Sequence, residues 1–145
     1  MNRIVVGIDG SEGSRRALRW AAEEAALRSA TLEVIHTYEP VQNVTSLASA
    51  AQAEALFHAA GEAARELLGS MVVEVEGVEV QRHAIESLNP AETLVERSKG
   101  AEMLVVSSRG RGSFRSLLLG SVSQQCAHHA TCPVVIIRSE PDQQG

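Results

Sequence analysis

Short apolar runs alternate along this chain with longer stretches in which apolar residues recur at helical spacing. Arg3 to Asp9 (RIVVGID) is an apolar run ending in turn residues, the pattern of a buried strand. Ser11 is placed to cap a following helix, with Glu12 in its first turn. Ala17, Leu18, Ala21, Ala25 and Leu27 form the apolar stripe of that helix, with Arg15, Arg19 and Glu23 outside it. Thr31 to Tyr38 (TLEVIHTY) is a second strand, stopped by Pro40. A polar connection from Val41 to about Ser46 leads into an alanine-rich helix that runs to about Leu68. A third strand fits best at Val78 to Ile85, with Gly77 as the turn before it. Asn89 is an N-cap with Pro90 at the first helical position, and the helix runs to about Ser98 before Gly100 ends it. Glu102 to Ser107 is a fourth strand, Gly120 to His129 a helix, and Val134 to Arg138 a last strand after the break at Pro133.

Strands that are short and apolar on both faces, alternating with helices, predict a parallel sheet covered on each side. Right-handed crossovers then leave a few doubly wound α/β topologies. In such folds ligands bind beyond the carboxyl ends of the strands, where the strand order reverses. The loops holding Asp9, Thr37 and Ser107 to Gly112 all follow a strand's carboxyl end. The chain of 145 residues suits one compact domain over residues 1–138, without an internal repeat. The polar tail SEPDQQG, residues 139–145, is expected to be disordered.

Aromatic residues make up only 3% of the chain, so the core has to be built from Val, Leu, Ile and Ala. No apolar run approaches the ~18 residues of a bilayer span, and the first one breaks at once into Gly-Asp-Gly, too short for a signal peptide. A cytoplasmic protein without a membrane partner is the expectation. The net charge of −5 argues against a nucleic-acid partner. That charge is uneven, because Met103 to Arg138 holds four arginines and no Asp or Glu. The local field there suits an anion. Cys126 and Cys132 form no CxxC pair, and adjacent His128 and His129 on a helix point ~100° apart. Structural residues are therefore the better reading of these four than a metal cluster.

The first turn spaces Gly7, Gly10 and Gly13 three and three, which is not the dinucleotide fingerprint, and no P-loop motif occurs. Turn and packing roles suit those glycines. The loop SSRGRGSFRSLLLG differs. Gly110 and Gly112 allow positive φ and let backbone N–H groups converge. Gly120 and Ser121 open a helix, where free N–H groups attract anions, and Ser121 and Ser123 add hydroxyls. The three leucines before Gly120 look directed to a core. Two readings remain open on chemistry alone: a phosphate cradle, or a surface loop with solvated arginines. No Ser-His-Asp or Cys-His set is suggested by position, and the only lysine is Lys99, away from the loop.

The run from Ser107 to Ser121 resembles the G-x2-G-x9-G-[ST] signature of nucleotide-binding universal stress proteins, with Gly110 and Gly120-Ser121 in place and Ser107 where the pattern has its first glycine. IVVGIDGSEGSRRALRWAAEEA, LEVIHTYEP, NPAETLVERS and AEMLVVSSRGRGSFRSLLLGSVSQQCAHHATCPVVIIR are similar to successive parts of the same domain. The resemblance implies a five-stranded parallel sheet in order 3-2-1-4-5. It implies an ATP or other adenine-nucleotide site, with Asp9 and Gly10 by the adenosine and Thr37 meeting the adenine. Ser107, Ser108, Arg109, Gly110, Gly112, Gly120, Ser121, Val122 and Ser123 would surround ribose and phosphates, with Gln124 also toward the phosphate end. Asp9 could bind a nucleotide-bound Mg²⁺. No catalytic residue is implied. It further implies a homodimer through Val134, Val135, Ile136 and Ile137 that acts with an unknown protein partner in stress response. A dimeric interaction module with a vestigial pocket, and a slow ATP hydrolase or autophosphorylating protein, are the alternatives. Leu88 also stands where such proteins often have glycine. If the backbone at Ser107 needs glycine's freedom, strain there weakens the nucleotide.

Overall fold

A computed structural model of the chain describes residues 2–40, 49–108 and 119–138. The elements follow one another as β1 (Arg3–Ile8), α1 (Glu12–Arg28), β2 (Thr31–Tyr38), α2 (Ala50–Ser70), β3 (Val80–Glu86), α3 (Pro90–Arg97), β4 (Met103–Ser107), α4 (Ser121–His129) and β5 (Val134–Ile137). The five strands form one sheet in the order β3-β2-β1-β4-β5, and every pairing is parallel. The fold is a doubly wound α/β sheet.

The register explains the burial. Ile4, Val6 and Ile8 of β1 point into a core shared with Leu32 and Val34 of β2 and with Ala17, Leu18 and Ala21 of α1. The alternate residue Val5 faces the opposite core, with Leu104 and Val106 of β4, Ala91 and Leu94 of α3, and Cys126 of α4. Helices α1 and α2 therefore cover one face of the sheet, and α3 and α4 the other. Residues of opposite parity serve both cores, so the central strands carry unbroken apolar runs.

Local signals set the helix boundaries. The Ser11 hydroxyl accepts from the Ser14 amide at 3.2 Å at the start of α1, and Asn89 Oδ1 accepts from the Glu92 amide at 3.2 Å at the start of α3. Gly100, with φ of 79°, turns the chain after α3. Arg3 ties the far end of the site-bearing layer together, donating to Glu33 at 2.9 Å and to the Arg97 carbonyl at 2.9 Å.

Three expectations change. Leu27 is 81% exposed, because helical spacing carries the stripe from Ala21 through Ala25 to Arg28 and leaves Leu27 on the Glu23–Glu24 side. Ser14 and Ala22 occupy the buried positions the sequence stripe omitted. The third strand starts at Val80, after turn residues at Gly77, and extends through Glu86. Leu119 is half-buried, while Leu117, Leu118 and the tail 139–145 lie outside the described residues.

Candidate functional site

The carboxyl ends of β1, β2 and β4 meet the N-terminal turns of α1, α3 and α4 around a cavity of about 360 Å³. That volume falls within the range of small-molecule sites, roughly 300–1,000 Å³. The place is dictated by topology: β1 and β4 are neighbours, but the chain leaves β1 toward α1 on one face and leaves β4 toward α4 on the other.

One side of the cavity is apolar, built from Ile35, Leu94, Val106, Pro90 and Val122. Gly7 makes this wall possible. A Cβ at Gly7 would stand 2.7 Å from Leu94 Cδ1, so the leucine lies against bare backbone at the floor. Along β2, Ile35, Thr37 and the following Glu39 line the cavity at two-residue intervals, as one face of an extended chain requires.

The β1 end brings a carboxylate. Asp9 Oδ1 accepts from the Ser11 amide at 2.9 Å, and the intervening Gly10 has φ of 83°. A glycine is needed there, because an L side chain disfavours that conformation. His36 Nδ1 lies 3.0 Å from the Ile8 carbonyl, immediately before Asp9.

The opposite end presents donors. Helices α1, α2 and α3 each have a side-chain cap, from Ser11, Ser49 and Asn89. Gly120 occupies the N-cap of α4, which has no side-chain cap hydrogen bond. Gly120, Ser121, Val122 and Ser123 all line the cavity. The first N–H groups of a helix lack intrahelical partners, and the dipole there favours an anion.

A clamp holds this helix start against β4. The Ser108 carbonyl accepts from the Gly120 amide and, at 2.9 Å, from the Ser123 hydroxyl. Ser123 also reaches the Gly120 carbonyl at 3.0 Å. Its single hydroxyl proton is directed at carbonyls, so Ser123 acts in the clamp rather than as the ligand donor expected from the sequence. Ser121 is exposed at the first helical position of α4 and lines the cavity. Ser108 is 2% exposed and lies beneath the cavity, its own amide bonded to the Ile137 carbonyl at 2.8 Å.

Of the residues expected at the site, Asp9, Thr37, Ser107, Gly120, Ser121, Val122 and Ser123 line the cavity. Gly10 shapes the turn and Ser108 the clamp, while Arg109, Gly110 and Gly112 lie outside the described residues. Gln124 is exposed and is not among the lining residues. The expected strain at Ser107 is absent. Ser107 belongs to β4, paired with Ile137, and the only non-glycine residue with positive φ among those described is Ser29. Regular strand geometry accommodates serine as well as glycine. Gly120 likewise has φ of −76°, open to any residue. The sequence reading missed Gly7, Ser14, Ile35, Glu39, Pro90, Leu94 and Val106. Two-residue spacing from Thr37 and four-residue spacing from Pro90 carried the available signal for Ile35, Glu39 and Leu94.

Among the described residues no group of three or more His, Cys, Asp or Glu could hold a metal ion. Mg²⁺ needs near-octahedral oxygen coordination and keeps waters or substrate phosphates in its shell. The donor set here does not fit a resident ion. Burial pushes the Cys126 thiol up to about 11, which keeps it protonated at neutral pH and unsuited to metal binding or nucleophilic attack. His128 and His129 are exposed in the last turn of α4.

The universal stress protein family model matches residues 1–138. The chain belongs to the universal stress protein family. A universal stress protein of Mycolicibacterium smegmatis is 37% identical over 145 residues, covering 94% of this chain and 48% of the relative. The chain thus spans about half the length of the curated relatives it matches. Among solved structures, the hypothetical protein MJ0577 superposes with a TM-score of 0.82 at 20% identity, covering 97% of this chain and 98% of that one. The universal stress protein from Archaeoglobus fulgidus, solved in complex with dAMP, gives a TM-score of 0.64 at 23% identity, covering 94% and 98% of the two chains. These two show the shared fold.

The floor of the cavity can be tested directly. Gly7→Ala should force Leu94 to swing toward the cavity at a cost of about 1 kcal/mol, the lower end for overpacking. Denaturant unfolding should show that loss, and the Leu94 methyl resonances should shift. A loss above about 3 kcal/mol with unshifted Leu94 methyls would mean that backbone yields instead.

Proposed function

We propose that this universal stress protein is an ATP-binding regulator that works as a homodimer in the cytoplasm during stress. One observation carries the nucleotide reading: the helix start without a side-chain cap opens into the same cavity as Asp9 and Glu39. A cavity with N–H donors at one end, carboxylates at the other and an apolar wall between them matches a nucleotide. Phosphates suit the α4 end, where the dipole favours anions. Ribose hydroxyls and base amino groups suit the carboxylates, which would repel phosphate. The dAMP complex of the Archaeoglobus fulgidus protein supports an adenine nucleotide as the ligand class. Any Mg²⁺ would arrive with the phosphates.

Regulation is favoured over turnover by what lines the cavity. Fast phosphoryl transfer needs placed cations and a positioned nucleophile. Among the described residues the lining holds hydroxyls and carboxylates but no Lys or Arg. The protein then acts by holding ATP and altering its contacts with a protein partner.

The dimer reading rests on β5. It is the last strand of the sheet, and Val134 to Ile137 are all half-buried. Such an edge is a template for another strand. The bonds from the Leu104 amide to the Pro133 carbonyl and from the Ser108 amide to the Ile137 carbonyl fix the parity. Odd-numbered residues of β5 face β4, and the backbone groups of Val134 and Ile136 face outward. A second copy would pair antiparallel along that outer row.

Calorimetric titration with ATP should give saturable binding, and ligand at ~100 times its Kd should stabilise the protein by about 2.7 kcal/mol. Gly120→Val should fold but lose that thermal shift, since a branched side chain obstructs the α4 cap. Equal shifts in both proteins would place the nucleotide elsewhere. Ser107→Gly should bind ATP no better than the wild type, because no strained backbone is relieved; a gain of about tenfold, equal to about 1.4 kcal/mol, would contradict regular strand geometry in solution. Ile136→Pro should yield a folded monomer in sedimentation, since proline is tolerated where an edge N–H points outward. Val135→Pro should instead damage the β4–β5 ladder itself. A dimeric Ile136→Pro protein would rule out this interface.

A further inference from the structure

We propose that residues 71–76, between α2 and β3, take up an extended peptide segment of a protein partner whose side chains alternate between small aliphatic groups and amides. The stretch reads MVVEVE and is rich in β-branched residues, which suit a strand. Its burial alternates: Met71, Val73 and Val75 are buried or half-buried, while Val72, Glu74 and Glu76 are exposed. A period of two is that of an extended chain. Val73 and Val75 pack against the core that α1 covers. Yet the stretch belongs to none of the five strands. Among the described residues the backbone of residues 72–76 makes no hydrogen bond. It has the pattern of a strand and lacks the neighbour. A row of free N–H and C=O groups is a template for another chain, and strand addition is a recurring mode of peptide recognition.

The stretch lines a cavity of about 520 Å³ that shares no residue with the nucleotide cavity. Leu18, Ala22 and Met71, all buried, give it an apolar floor. Arg15, Arg19 and Glu23 stand exposed at successive turns of α1 along one side, and Glu74 stands on the other. Among the described residues none of these four charges makes an ion pair. Opposite charges therefore line the slot without closing it. A strand laid along residues 71–76 turns alternate side chains to the floor, where small aliphatic groups fit. Those turned outward stand between guanidinium and carboxylate. An acidic side chain there meets Glu74, and a basic one meets Arg15 and Arg19. The amide of Asn or Gln accepts from one and donates to the other. Arg15 and Arg19 are ~6 Å apart along the helix, close to the ~6.7 Å between alternate residues of a strand. A second copy of this stretch does not fit: twofold antiparallel pairing sets the carboxylates of Glu74 and Glu76 against one another, and like charges directly opposite are destabilising.

The probe is the acetylated and amidated peptide Ala-Gln-Val-Gln-Val-Ala, titrated into the full chain and followed by NMR. The amide resonances of residues 72–76 should shift to saturation with a Kd on the order of 1 mM. Amide exchange in that stretch, fast in the free protein, should slow when peptide is added. Peptides with Glu or Lys in place of both Gln should bind about fivefold more weakly, and the Gln peptide methylated at every backbone nitrogen should not bind. Arg15→Ala combined with Arg19→Ala should keep the wild-type unfolding temperature, since both positions are exposed. In that variant the Lys peptide should bind tightest, because Glu23 and Glu74 remain. Equal binding of the methylated peptide would overturn strand pairing. Equal binding of the Gln, Glu and Lys peptides, or an unchanged order in the paired variant, would overturn selection of amides. No saturation by ~10 mM Gln peptide would overturn the site itself.

Discussion

The site depends on the pairing of β1 with β4. These strands lie side by side in register, Ile4 beside Met103 and Val6 beside Val105, yet their outgoing chains depart to opposite faces of the sheet. The chain passes from β1 through α1 to β2 and then β3 on one side, and β4 and β5 are added on the other side of β1. A crevice at that point is a geometric consequence of strand order, and the Gly7–Leu94 contact gives it a close-packed floor.

Polarity within the crevice follows from how its edges end. The β1 edge ends in a tight turn that aims a carboxylate inward, stabilised by the Ser11 amide and by the glycine conformation at position 10. The α4 edge ends in a glycine cap, which leaves the first helical N–H groups without a partner from the cap side chain. Leaving such groups in a cavity is costly unless water or a ligand meets them. The serine clamp from Ser123 to Ser108 keeps the helix start in place beside β4. Ser123 is therefore as much a part of the site's architecture as the residues that face the cavity.

At the edge of the sheet the same strand serves two purposes. Backbone groups of β5 that face β4 anchor Ser108 through the Ile137 carbonyl, and so support the clamp. Groups of the opposite parity face away from the sheet. Strand parity thus separates the residues that maintain the site from those available to a second chain, although both kinds are apolar and half-buried. A substitution at one position cannot stand in for its neighbour.

Periodicity alone determined the order of elements, their parallel arrangement and the end of the sheet where a site forms, because burial on two faces or on one stripe leaves its mark on every residue of an element. Asp9, Thr37, Gly120 and Ser121 were legible because each stands beside a strand or helix terminus, and termini are marked by glycine, serine and proline. Tertiary structure decided the rest. Local spacing from Thr37 and Pro90 marks Glu39 and Leu94, but only the packed fold brings those two faces to one cavity. The φ values of Ser107 and Gly120 are ordinary because β4 and the α4 cap impose regular geometry there, so the serine that departs from the family pattern carries no backbone strain. Ser123 turned from expected donor into clamp because one proton is shared between two carbonyls, one of them 15 residues away. A sequence fixes which hydrogen-bonding groups exist; the packed chain decides which of them are already spent.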